Sequence, residues 1–132
     1  MAITQAVCNS FKKELLDGDH SFKQTGGDTF KLALYTNSAN LGATTATYPG
    51  DSTGGQVSNS VAITDFADLS FTGVTLTARG ALIYNTTMGS GSNATDAVVV
   101  LDFGSDKTAT SGTFTIQFPA FTTSAAILRI SG

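Results

Sequence analysis

The chain has 132 residues and a formal net charge of −3, and only 13% of its residues are charged, about half the usual share. Its seven Lys and Arg residues are scattered, so no basic stripe could follow a phosphate backbone, and nucleic-acid binding is not expected. No apolar run approaches the ~18 residues of a membrane span, so no membrane partner is expected either.

Composition also limits the size and surface of the fold. The length predicts a single domain over residues 1–132. Ser and Thr supply about a quarter of the chain, so the surface is polar through hydroxyls rather than through charge. Such a surface suits dense packing against neighbours, because few charges have to be desolvated, and it equally suits an ordinary Thr-rich β protein.

The first predicted element is an amphipathic helix over residues 3–17. Apolar residues recur there at every fourth position, at Ile3, Val7, Phe11 and Leu15. Thr4 is a candidate N-cap, and Gly18 is a candidate C-cap. The apolar face either packs on the core of its own domain or docks on a partner. Cys8, the only cysteine, lies at the edge of this face and is expected to be a buried hydrophobe.

Strand patterns define a predicted β domain over residues 29–130. Apolar runs bounded by turn residues predict strands at 29–36, 61–66, 69–76, 79–84, 97–103, 113–118 and 126–130. The run at 97–103 is apolar on both faces, which predicts a central or doubly covered strand. The Gly-, Ser- and Thr-rich segment 37–60 is predicted to be a functional or mobile loop, in which part of the chain is an irregular edge strand. Together these patterns predict a mainly β fold: a single-domain antiparallel β-sandwich or jelly-roll-like barrel with an N-terminal amphipathic helix.

No catalytic, cofactor-binding or metal-ligating set is predicted, and the chain is not expected to be an enzyme. Residues 50–54 match the G-x-S-x-G pattern of serine hydrolases around Ser52, but the strand–turn–helix context that this chemistry needs is absent from the sequence. The only histidine, His20, falls in a predicted turn. Tyr35, Tyr48 and Tyr84 could form a sugar-binding platform, although buried strand tyrosines are more common.

Arg79 is the charged residue of greatest interest, because it stands beside Gly80 at the start of an apolar run. Two roles remain open from the sequence. It is either a strand-end cation at the surface, or a structural guanidinium bonded to carbonyls or to an acid such as Asp65 or Asp102.

Three segments carry a resemblance to a known family: ARGALIYN at 78–85, VVVLDFGSDKTATSGTFTIQFP at 98–119 and AAILRI at 125–130, with support from residues 4–16 and 29–36. They resemble small virion structural proteins of tailed bacteriophages, especially those of cyanobacterial and marine phages. Some members of that family are similar to capsid cement or decoration proteins. These are matches of the structural framework, and the family has no catalytic residues to transfer.

The resemblance implies a capsid cement or decoration protein that bridges neighbouring copies of the major capsid protein on the capsid exterior, after assembly in the host cytoplasm. It also implies a homo-oligomer, with a trimer favoured because it matches local symmetry axes of a shell. Two alternatives stay open: a tail- or fibre-associated structural protein, and a virion-surface carbohydrate-binding module with its site at Tyr48 and segment 37–60.

Overall fold

The computed structural model describes residues 2–23, 25–47, 56–62, 68–87 and 96–118, with residues 56–62 described through their backbone. The fold is mainly β, as the sequence predicts. In chain order the elements are β1 (Ala6–Val7), α1 (Asn9–Asp17), β2 (Phe30–Tyr35), β3 (Gln56–Ala62), β4 (Leu69–Asn85) and β5 (Asp96–Ile116). The five strands form one sheet in the order β1-β5-β4-β2-β3, and all neighbours are antiparallel. The second layer of a sandwich, or closure into a barrel, stays a prediction.

The two longest strands each join segments that the sequence predicts as separate. Strand β4 runs through both 69–76 and 79–84, and β5 runs through both 97–103 and 113–118. The turn-like residues between the predicted segments form irregularities inside the ladder. Gly104 and Ser111 adopt positive φ values of 79° and 47°, and the β4–β5 register shifts several times along the pair. Bulges of this kind absorb extra residues without ending a strand, so the prediction of separate strands was wrong.

The core lies where β2, β4 and β5 run side by side. Leu32, Leu34, Leu82 and Val100 are fully buried, and every residue of β5 from 96 to 101 is buried. Strand β5 lies between β1 and β4. The predicted central position of the 97–103 run is therefore confirmed. Residues 56–60 of the predicted loop 37–60 belong to β3, which lies at the end of the sheet order, as expected for an edge strand. The predicted strand 126–130 lies outside the described residues.

The N-terminal segment differs from its prediction. The helix begins at Asn9, not at residue 3, and Thr4 is not its N-cap. Residues 6 and 7 pair with Val100 and Val99 of β5, and Ile3 forms a parallel bridge with Leu41. The backbone N–H of Cys8 donates to the carbonyl of Val98 at 2.9 Å. Because the backbone of these residues bonds to distant parts of the chain, the residues cannot be helical. Apolar residues at every fourth position fit both a helix and this extended segment, so the pattern alone does not distinguish them.

The predicted apolar face packs on its own domain. Phe11 and Ile3 are 3% and 7% exposed, and Val7 and Leu15 are partly buried against the same core. Gly18 ends the helix with a φ of 82°, and the backbone N–H groups of residues 18 and 19 donate to the carbonyls of Leu15 and Glu14. This is the left-handed C-cap that the sequence predicts.

We expect Phe11→Ala to lower the free energy of unfolding by about 3–5 kcal/mol, because a buried aromatic side chain leaves a cavity. Leu16→Ala is the matched control: Leu16 lies on the same helix and is 90% exposed, so its truncation should change stability by less than about 0.5 kcal/mol. Urea unfolding of the isolated protein measures both. Equal effects of the two substitutions would contradict the placement of the helix.

Gly80 marks a close approach between β4, β5 and the N-terminal segment. A Cβ atom at this position would lie 2.5 Å from the carbonyl oxygen of Leu101 and 2.8 Å from Cγ2 of Ile3. We therefore expect Gly80→Ala to destabilise the protein by about 1–3 kcal/mol, as overpacking does.

Gly112→Ala is the control for Gly80→Ala, because the nearest atom to its added Cβ is 3.5 Å away. Thermal melts of the two variants should separate clearly. Loss of stability in the Gly112 variant alone would show that the close contact at Gly80 is misplaced.

Candidate functional site

A buried polar cluster joins helix α1, the segment after it, the last residue of β4 and the first residue of β5. Its centre is His20, whose side chain is fully buried. The imidazole lies between aromatic rings: its centroid is 4.9 Å from that of Phe11 and 6.4 Å from that of Phe30. The left-handed turn at Gly18 sends the chain back under the helix, which brings His20 to Glu14. His20 Nε2 lies 2.6 Å from Glu14 Oε2.

The hydrogen bonds of Asn85 fix the tautomer of His20. Asn85 Nδ2 lies 2.9 Å from His20 Nδ1 and donates to Asp28 Oδ2 at 2.7 Å, while Asn85 Oδ1 accepts from the backbone N–H of Thr87 at 2.8 Å. The amide nitrogen can only donate, so Nδ1 must accept. The single proton of the neutral imidazole is then on Nε2 and is donated to Glu14.

A third carboxylate, that of Asp96, completes the cluster from the first residue of β5. Asp96 is 3% exposed and lies opposite Asn85 in the β4–β5 ladder. One ligand atom from each of Glu14, His20 and Asp96 lies within 4.8 Å of the others, which makes them the described residues best placed to hold a metal ion. Because both ring nitrogens of His20 are engaged, the histidine is not placed to act as a general base.

Sequence reasoning did not find this cluster. His20 falls in a turn-like DGDHS segment, and its partners come from residues 14, 28, 85 and 96. The only usable signal was Gly18, because a left-handed C-cap reverses the chain direction and returns the next residues towards the helix. The long-range partners depend on strand register, which the sequence does not show.

Arg79 takes the second of the two roles left open by the sequence. Its Nε donates to Asp102 Oδ1 at 2.9 Å, and the backbone N–H of Gly104 donates to the same oxygen at 2.9 Å. The register passes from Ala78 opposite Lys107 to Gly80 opposite Asp102, so Arg79 spans the base of a bulge in β5. Arg79 is a structural cation that fixes this irregularity.

The outer half of the β4–β5 pair forms a ribbon with two different faces. One face is apolar and includes Phe71, Phe114 and Ile116, all of them buried. The other carries a set that we call the hydroxyl face: Ser70, Thr72, Thr75, Thr77, Thr108, Thr110, Thr113 and Thr115. All of its members except Thr77 are exposed, and cross-strand hydroxyl contacts join Ser70 to Thr115 at 3.1 Å and Thr77 to Thr108 at 2.8 Å.

Several residues considered from the sequence have other positions or lie outside the described ranges. Tyr35 and Tyr84 are buried, so they do not form an exposed sugar-binding platform. Cys8 is fully buried, and burial, with Glu14 nearby, raises the pKa of its thiol to about 11. Ser52 and Tyr48 lie outside the described residues. Within the described ranges, no helix is long and apolar enough to span a membrane.

Comparison of the chain with family models, with curated proteins and with solved structures found no match.

The Arg79–Asp102 pair predicts a specific pH dependence of stability. The hydrogen bond from Arg79, followed by that from the backbone of Gly104, holds the pKa of the Asp102 carboxyl below its usual range. A carboxyl whose pKa is lower in the folded state stabilises the fold above its unfolded pKa of about 3.9, and this contribution disappears as the pH falls through the folded pKa. Arg79→Met should therefore be less stable than the parent at pH 7, and the difference should narrow below about pH 4.

Lys107→Met is the control, because Lys107 is exposed and its ammonium bonds the hydroxyl of Ser105. Urea unfolding at pH 7, 5 and 3 gives the comparison. A stability difference between Arg79→Met and the parent that stays constant over this range would exclude the assigned ion pair.

Proposed function

We propose that this protein is a phage virion structural protein: a capsid cement or decoration protein that stabilises the mature head by bridging neighbouring major capsid subunits. It acts by burying surface rather than by chemistry. The family resemblance suggests this role, and the hydroxyl face of the β4–β5 ribbon is the structural observation that supports it.

The hydroxyl face has the chemistry of a surface that can be buried in many equivalent contacts on one shell. Each hydroxyl both donates and accepts a hydrogen bond, so it can adapt to a polar neighbour of either kind. Burying hydroxyls avoids the large desolvation penalty of burying charges. A cement protein needs only modest affinity per contact, because many contacts on one shell act together.

The assembly that we propose is a homo-oligomer on the capsid exterior, with a trimer favoured. A cyclic oligomer places the same face against each of several neighbouring subunits, which matches the local symmetry of a shell. The protein should bind expanded shells and leave immature shells largely unbound, because a site that spans subunits changes when those subunits move. That difference in affinity is what allows it to stabilise the expanded state.

The test uses particles that lack the protein or have been stripped of it. Heating or lowering the ionic strength should make these shells leak earlier, and adding back the purified protein should restore them at a fixed ratio to the major capsid protein. The double variant Thr110→Glu/Thr113→Glu should bind shells at least about tenfold more weakly with an unchanged melting temperature, because two charges would have to be desolvated.

Thr44→Glu is the matched control. Thr44 is an exposed threonine outside the ribbon, so its variant should restore the shells normally. If shells without the protein are equally robust and only a few copies are found near the tail, the capsid role is wrong and the tail-associated alternative replaces it.

A further inference from the structure

We propose that Glu14, His20 and Asp96 form a binding site for one divalent first-row metal ion, which takes the place of the proton between His20 and Glu14. Their ligand atoms already lie within 4.8 Å of one another. The three residues come from α1, from the segment after it and from the start of β5, so an ion bound here would join the helix to the sheet. The site is independent of the proposed capsid role and is not predicted by the sequence.

Charge is the first argument for a cation. The carboxylates of Glu14, Asp28 and Asp96 surround an imidazole that is neutral in the tautomer fixed by Asn85. Their ionised forms would bring three negative charges into a region where the His20 side chain is fully buried and that of Glu14 is 17% exposed. Carboxylates in such places are paired or coordinate metals.

Among the described residues, the two lysines of α1 have their partners outside the cluster. Lys12 and Lys13 are exposed, and their ammonium groups contact Asn9 and Asp17 on the outer side of the helix. A divalent cation bound here would add positive charge between the carboxylates of Glu14 and Asp96.

The distances require small movements of side chains. Carboxylate and imidazole ligands lie roughly 2.0–2.2 Å from a zinc-like ion, so in a tetrahedral site they stand about 3.4 Å apart. His20 Nε2 and Glu14 Oε2, now 2.6 Å apart, would have to separate by about 0.8 Å. The widest separation in the set would have to shorten by a somewhat larger amount, which rotations of the Glu14 and Asp96 side chains can supply.

Metal binding also moves a proton. When Nε2 gives its lone pair to the ion, the proton of the neutral ring must move to Nδ1, which now faces the amide nitrogen of Asn85 at 2.9 Å. Two donors would then oppose each other. Asn85 must rotate its amide to present Oδ1, and in doing so it loses its bonds with Asp28 and Thr87. Asn85 therefore opposes metal binding as a positioning residue, and an oxygen in place of its amide nitrogen should favour it.

The ligand set selects the class of ion. One imidazole nitrogen and two carboxylate oxygens suit zinc, cobalt or manganese. Calcium prefers six to eight oxygen ligands, which these residues do not provide. We therefore expect Co²⁺ and Zn²⁺ to bind and Ca²⁺ not to compete.

The experiment uses the full chain without an affinity tag, treated with a chelator and titrated with Co²⁺ and then Zn²⁺. His20 is the only histidine and Cys8 the only cysteine, so the spectra report on identified ligands. We expect one equivalent of Co²⁺ to bind, the melting temperature to rise with metal concentration, and the ring signals of His20 to shift in NMR spectra.

Four variants test the assignment. Glu14→Gln and Asp96→Asn should each weaken binding at least about tenfold, while Asn85→Asp should strengthen it by a similar factor because it offers Nδ1–H an acceptor. Asp106→Asn, an exposed acid elsewhere on β5, should bind like the parent. The stoichiometry of Co²⁺ binding and the shift of the His20 ring signals in the parent protein keep the test valid if a variant does not fold.

Three results would overturn the proposal. The first is no binding at one equivalent by the parent protein. The second is a thiolate-to-cobalt charge-transfer band, which would assign the metal to Cys8. The third is unchanged affinity in both Asp96→Asn and Asn85→Asp, which would place the ion elsewhere on the molecule.

Discussion

The antiparallel pairing of β4 with β5 is the interaction on which the rest of the structure depends. Its inner half gives the sheet its central strands, against which β2 and β1 pair on opposite sides. Its outer half forms the ribbon that separates an apolar face from the hydroxyl face. At its inner end, the opposed residues Asn85 and Asp96 bring two polar groups to the place where His20 is buried. This one strand pair therefore positions the core, the proposed docking surface and the polar cluster.

The polar cluster explains how a nine-residue helix is held to this sheet. A helix of this length has little stability alone and depends on its contacts. Phe11 supplies an apolar contact, and the chain from Glu14 through His20 to Asn85 supplies a set of hydrogen bonds in which each donor meets an acceptor. Such networks favour a single arrangement when they are fully satisfied and are costly when one member is missing. The bonding of Asn85 is thus decisive for the fold and for the proposed metal site.

The sequence predicts the local features and misses those that depend on register. Alternating apolar residues identify the strands, and Gly18 identifies the end of the helix, because these signals are set by neighbouring residues. The predicted helix start is wrong because Ile3 and Val7 pair with Leu41 and Val99, which lie far along the chain. The sequence does not predict that β5 is continuous, because Gly and Ser residues such as Gly104 and Ser111 are equally typical of a turn and of a bulge. Asp102 was one of the acids predicted to pair with Arg79, but only the bulge in β5 explains why Arg79 bonds to it.

The pairing of residues 6 and 7 with residues 100 and 99 has a consequence for the synthesis of the protein. During translation residues 6 and 7 leave the ribosome long before residues 99 and 100, with which they pair, have been made. Helix α1 also lacks part of its contacts at that stage, because the buried polar cluster includes Asn85 and Asp96. Contacts between distant parts of a chain form late and slowly, since the intervening loop must first be closed. Residues 3–7 are therefore among the last to find their place, and the nascent chain carries Ile3 and Val7 uncovered until residues 80–100 have been made.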